Sequence, residues 1–123
     1  MNFQDKIQEI REKDNRYKPD AYEFVMQALY FTQKRLNKEG HISGQQLLEG
    51  IREFGIDQYG FLVKTLFNYW GIKSTQDFGE IVFNMTDSGV MGKTEQDCRD
   101  DFKNVYDFDE AFDSKRITSN FSG

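Results

Sequence analysis

A single cysteine, Cys98, leaves this chain without a partner for an internal disulfide, so no bridge can take the place of a hydrophobic core. The lone proline, Pro19, and a charged content of 30% do not suit a protein made of turns and short strands. No apolar run approaches the roughly 18 residues of a membrane span, and no basic-then-apolar leader is present, so export and membrane spanning find no support. The expected compartment is the cytoplasm. With one histidine, His41, and one thiol far apart in the sequence, there is no metal-spaced His/Cys cluster. There is also no glycine-rich phosphate loop and no nucleophile elbow.

What the chain does have is rings. Twelve Phe, six Tyr and one Trp in 123 residues can fill one conventional core despite a hydrophobic total of 37%. The net charge of −5 is uneven: residues 77–113 hold eleven carboxylates against Lys93, Arg99 and Lys103, whereas the first 76 residues are slightly basic. An acidic face of this kind repels phosphate backbones and suits a basic protein partner; its plainer meaning is a solvated helix surface.

Apolar spacing predicts helices along most of the chain. Phe3, Ile7 and Ile10 mark a narrow surface helix over 3–14. A second, with Pro19 and Asp20 in its first turn, carries Tyr22, Val25, Leu29 and Leu36 on one side, widened by Phe24, Ala28 and Phe31. Lys34, Arg35 and Lys38 complement its C-terminal dipole, and Gly40 is expected to stop it. Ser43 and Gln46 form a capping box ahead of Leu47, Leu48, Ile51 and Phe54, with Gly55 as the expected end. Residues 59–70 are apolar nearly all round and are expected to form the central helix. Ser74 or Thr75 then caps a helix through Phe78, Ile81, Val82 and Met85, ending at Gly89. Thr94 opens a last helix with Cys98, Phe102, Val105 and Tyr106 as its stripe, and Phe108 and Phe112 fold back on the core. The expected fold is all-α, a compact bundle of five or six helices with a winged-helix-like core. His41-Ile42 and Val90-Met91 are the candidates for a minimal two-stranded ribbon. Residues 1–113 are expected to form a single helical domain, with 114–123 as a flexible tail.

Three constellations bear on function. From Trp70 to Met91 runs a helix-turn-helix rhythm: a turn at Gly71-Ile72, a cap at Ser74, apolar residues at Phe78, Val82 and Met85, then Gly89 and Val90. Groove insertion needs cationic or amide side chains on the exposed face. That face offers Gln76, Asp77, Glu80, Asn84 and Asp87, which speaks against nucleic acid. "NMTDSGVMGKTE" lays Asn84, Thr86, Ser88, Gly89, Met91 and Glu95 on the positions of a calcium loop, but its first three ligand positions hold an amide and two hydroxyls where carboxylates are required. The related "RLNKEGHISGQQ" begins with Arg35 and ends with Gln46. Neither stretch implies a metal or cofactor. His41 reads as a turn residue and Cys98 as a small core residue, and no carboxylate sits in a plainly apolar setting, so no enzyme is expected. Tyr69 and Trp70, paired rings before a turn, read as core, with a ligand slot or partner pocket as the other use of such a pair.

"GHISGQQLLEGIREFG", "WGIKSTQDFGEIVFNM" and "DFKNVYDFDEAF" together resemble the blocks of an uncharacterised family of short acidic bacterial proteins of planctomycete and verrucomicrobial type, over roughly residues 17–112. That resemblance implies a bacterial, cytosolic protein and transfers no catalytic residue. The leading expectation is a non-catalytic protein-interaction module. It would present Asp100, Asp101, Asp107 and Asp109, with the rings of Phe108 and Phe112, to a partner with a basic or apolar surface. The alternative is a winged-helix-like nucleic-acid regulator using Lys6, Arg11, Lys13, Arg16 and Lys18; the remote one is an enzyme with a carboxylate site.

Overall fold

Helices begin in this chain where a side chain can satisfy an otherwise orphaned backbone N–H. In the computed structural model, which describes residues 2–92 and 98–113, the Asn2 side chain accepts from the Asp5 N–H at 2.9 Å and opens α1 (Phe3–Lys13). Proline, with φ already near the helical value, starts α2 (Pro19–Arg35). Ser43 and Gln46 exchange hydrogen bonds of 3.1 and 3.0 Å in the expected capping box of α3 (Gly44–Tyr59). A 3-10 turn at Gly60–Leu62 leads into α4 (Val63–Tyr69). Ser74 is the N-cap of α5 (Thr75–Asp87), and its N–H donates to the Asp77 carboxylate at 3.3 Å. A 3-10 turn at Arg99–Phe102 and the single-turn α6 (Phe108–Ala111) follow.

The all-helical class therefore holds, without its ribbon: among the described residues there is no strand. The N–H groups of Val90 and Met91 both turn back to the Met85 carbonyl, at 2.9 and 3.2 Å, and close the end of α5. Donors used that way are not available to a facing strand.

Two glycines expected to end helices do something else. The second helix stops before Gly40, because Asn37 takes up the left-handed conformation (φ 51°). The Asn37 and Lys38 N–H groups then cap the Lys34 and Gln33 carbonyls in a Schellman arrangement. Gly55 lies inside α3, where an added Cβ would sit 2.9 Å from a Val63 methyl and 3.2 Å from the Phe67 ring. It is glycine for close approach; the helix ends at Gly60, which has φ 53°.

The segment over 59–70 corrects the expectation most. It is helical, but broken at Gly60–Leu62 and one-sided. Val63, Phe67 and Trp70 are buried, while Phe61, Leu62 and Tyr69 are 59%, 60% and 68% exposed. A seven-residue helix has room to bury one stripe, and this one buries the Val63–Phe67–Trp70 stripe. Phe67 is nonetheless the hub of the core: its ring lies 5.2 Å from Phe24 of α2, 5.2 Å from Phe78 of α5, and 5.9 and 5.4 Å from Phe108 and Phe112 at the C-terminal end.

The expected last helix is largely replaced by irregular chain; Thr94 lies outside the described residues, as does the segment 114–123. Cys98 is exposed rather than core, and Val105 is also exposed. Phe102 anchors this stretch, pressed against two glycines: a Cβ on Gly79 would meet it at 2.9 Å and one on Gly44 at 3.0 Å. Downstream, the Tyr106 hydroxyl donates to the Leu48 carbonyl of α3 at 2.8 Å, and the Val105 N–H donates to Thr75 Oγ1 at 3.2 Å. Side chains and glycine seats, in place of helix periodicity, hold the acidic segment to the body.

Candidate interaction surface

Between Cys98 and Asp113 the chain carries six carboxylates against two bases, and the structure gives these carboxylates different work. Asp107 is the N-cap of α6 and accepts from the Asp109 N–H at 2.8 Å. Asp101 accepts from the Cys98 N–H at 2.8 Å and closes the 3-10 turn. Asp109 pairs with Lys64 of α4. Asp100, Asp107 and Asp109 are all exposed, and Asp101 is half-exposed. Phe108 and Phe112 lie inward, 7% and 5% exposed, so these two rings contribute to the core and not to the surface. Their spacing of four, directly behind a capping Asp107, is the signal for a short helix that turns both rings to one side.

Beside this segment lies an open groove of about 810 Å³. Ile72, Tyr106 and Phe108 form its base; Lys64, Thr65 and Asn68 of α4 make one wall, and Lys73, Ser74, Gln76, Asn104, Asp107 and Asp109 complete it. Burial pushes the Tyr106 phenol well above its ordinary range. Its hydroxyl donates to the Leu48 carbonyl, and burial disfavours its charged form.

The helix-turn-helix rhythm corresponds to α4, a turn and α5, but the outer side of α5 is occupied from within. Asp77 accepts from the Tyr17 hydroxyl at 2.6 Å and from the Lys73 N–H at 2.8 Å. Glu80 pairs with Arg16 at 3.7 Å and Arg99 at 3.3 Å. Asn84 donates to Asp14 at 3.0 Å and to the Tyr22 hydroxyl at 3.1 Å. Asp87 alone in α5 is exposed. Four of the five N-terminal bases are similarly engaged, Lys6 on the Ser88 carbonyl, Arg11 on the Tyr17 carbonyl, Arg16 on Asp14, and Lys18 over the Tyr69 ring at 5.4 Å, while Lys13 is exposed. The Arg16 hydrogen bonds hold the Asp14 carboxyl far below the usual carboxylate range.

In the calcium-like stretch, Asn84 is used as above. The Thr86 and Ser88 hydroxyls donate to the Phe83 and Met85 carbonyls at 3.0 and 3.1 Å. Glu95 lies outside the described residues. Among the described residues no group of three or more His, Cys, Asp or Glu side chains could hold a metal ion. No described helix is long and apolar enough to cross a membrane. His41 is exposed in the link ahead of Ser43.

The polar belt around α5 has a pH consequence. Burial, reinforced at Tyr17 by its bond to Asp77, raises the Tyr17 phenol above its ordinary 10.0; burial raises Tyr22 as well. Above about pH 10 the unfolded chain ionises these phenols while the folded one keeps them neutral. Stability is therefore complete below that pH and falls as pH rises, by up to about 1.4 kcal/mol per unit for each tyrosine. In an alkaline titration, the phenolate absorbance of the buried Tyr17 and Tyr22 should appear together with loss of the helical circular dichroism, and Tyr17→Phe should make the fall shallower. Smooth ionisation of every tyrosine with the helices intact would contradict this.

Comparison with protein-family models, with curated proteins and with solved structures gave no match.

Proposed function

We propose that this protein is a non-catalytic interaction module that meets a protein partner with the acidic surface beside the α4–α6 groove. The reading rests on one observation: Asp107 and Asp109 are exposed along an open groove, and Asp100 is exposed on the same acidic segment outside it. A surface rich in one sign of charge favours and orients a partner of the opposite sign, mostly by speeding encounter. The engagement of Asp77, Glu80 and Asn84 within the molecule gives no support to a recognition helix, so nucleic acid is not the partner proposed.

The choice of test residues follows from the caps. Asp101 and Asp107 hold local backbone turns, and replacing them would confound folding with binding. Asp100→Asn combined with Asp109→Asn removes two charges while leaving those caps in place. Affinity purification from the native host should recover a basic protein at low salt, retained several-fold less by the double variant and released as salt rises. Retention that ignores both salt and the double variant, or strong retardation of DNA at low salt, would overturn the reading.

A further inference from the structure

The apolar anchors expected in Phe108 and Phe112 are in the core, yet the surface has others. Leu62, Leu66 and Tyr69 fall at helical spacings of four and three along the outer side of α4, with Phe61 beside Leu62. Phe61, Leu62 and Tyr69 are each about 60% exposed or more. Together they offer on the order of 300 Å² of apolar surface, comparable to the largest apolar patch on an ordinary soluble monomer, which often has a function. Leu66 is partly buried and packs against the core, but Phe61, Leu62 and Tyr69 stay outward, because the adjacent side of the helix, Val63, Phe67 and Trp70, makes the main core contacts.

Carboxylates border this ridge on both flanks. On one side, Asp20 and Glu23 of α2 lie close enough to act on the Tyr59 hydroxyl, whose ring packs on Trp70 at 5.8 Å, and Asp57 precedes the turn. On the other stand Asp107 and Asp109. The bases nearby are Lys18, held over Tyr69, Lys64, paired to Asp109, and Lys73 across the groove.

We infer that the Phe61–Leu62–Tyr69 ridge is the docking face for an amphipathic helix with apolar residues at three- and four-residue spacing and Lys or Arg along its edges. This deepens the interaction-module reading and rests on it. Three features select that occupant. The ridge runs from the 3-10 turn along α4 to Tyr69, a helical surface that packs ridge into groove against another helix. Among the described residues no strand offers an edge for an extended peptide to join. A second copy would bring the same acidic flanks against one another, whereas basic edges complement them.

The test uses a synthetic peptide of about 18 residues, long enough for several helical turns, with Leu at the anchor spacings and Lys at the edges, and a twin with Glu in place of Lys. Binding to the full chain is followed by fluorescence anisotropy, and the assembly state by light scattering. The Lys peptide should bind. Leu62→Ser with Tyr69→Ser should weaken it at least tenfold with unchanged circular dichroism, Phe61→Ser alone several-fold, and the Glu twin should bind at least tenfold more weakly. Absence of binding, equal binding by the ridge variants, equal binding by the Glu twin, or a ridge-dependent dimer of the protein would each overturn the inference. If partner retention falls with Asp100→Asn and Asp109→Asn but not with the ridge variants, the acidic-surface reading stands while the docking ridge falls.

Discussion

Phe67→Ala is expected to remove about 3–5 kcal/mol of stability, the range for deleting a fully buried aromatic ring. The side chain is wholly buried and its ring lies within 6 Å of Phe24, Trp70, Phe78, Phe108 and Phe112. These partners come from α2, α4, α5 and the C-terminal turn, elements that approach the site from different sides. The hole left by the ring cannot close by the movement of any one of them, which places the cost at the upper part of the range. Against a total of about 5–15 kcal/mol for a domain of ordinary stability, the loss is a large fraction. Urea unfolding should show the midpoint falling sharply, and the C-terminal segment, seated on Phe67 through Phe108 and Phe112, should be the first to lose protection from hydrogen exchange. A loss below about 1 kcal/mol would mean that the rings do not converge on this side chain.

Gly71→Ala should cost roughly 2–4 kcal/mol, from two sources that act at one position. Gly71 has φ 93°, a conformation that L side chains rarely adopt. A Cβ there would lie 2.3 Å from the Arg16 carbonyl oxygen, and a backbone atom cannot rotate aside as a side chain can. Next to it the Lys18 N–H donates to the Trp70 carbonyl at 3.1 Å, so the turn between α4 and α5 and the link between α1 and α2 are held as one piece. Chemical denaturation of the variant should show the loss, accompanied by easier exchange of the Lys18 amide. Gly89→Ala supplies the contrast: Gly89 also has positive φ (82°), but nothing lies within 4 Å of the added carbon, so the expected cost is about 1 kcal/mol, the conformational part alone. Equal effects at the two glycines would remove the close-contact argument.

The legible parts of this chain were those set by neighbours in sequence. Ser43 and Gln46 can be read as a capping box because both partners lie within one turn. Phe78, Ile81, Val82 and Met85 can be read as a buried stripe because their spacing matches the helix period, and all four are buried. The same logic misreads residues 59–70. Both Val63–Phe67–Trp70 and Leu62–Leu66–Tyr69 are apolar at helical spacing, and nothing local distinguishes the stripe that meets a core from the one that meets water. The available hints were Gly60, which breaks the rod, and the shortness of what remains. Glycines raise a similar ambiguity: Gly55 and Gly60 look alike in sequence, but one accommodates Val63 and Phe67 while the other turns the chain.

The acidic segment shows the division most clearly. Its charge is a count of residues and was evident at once. Which carboxylates also hold the fold was decided by Asp101 and Asp107 closing backbone turns and by Lys64 arriving from α4 to pair with Asp109. The amino-acid order by itself determined an all-helical chain, its main helix starts and its excess of acid between residues 77 and 113, since periodicity, capping and charge are properties of nearby residues. The tertiary structure alone decided that Phe108 and Phe112 turn inward while Phe61, Leu62 and Tyr69 face outward. Burial depends on which distant segments arrive at a side chain, and helical spacing holds no record of that.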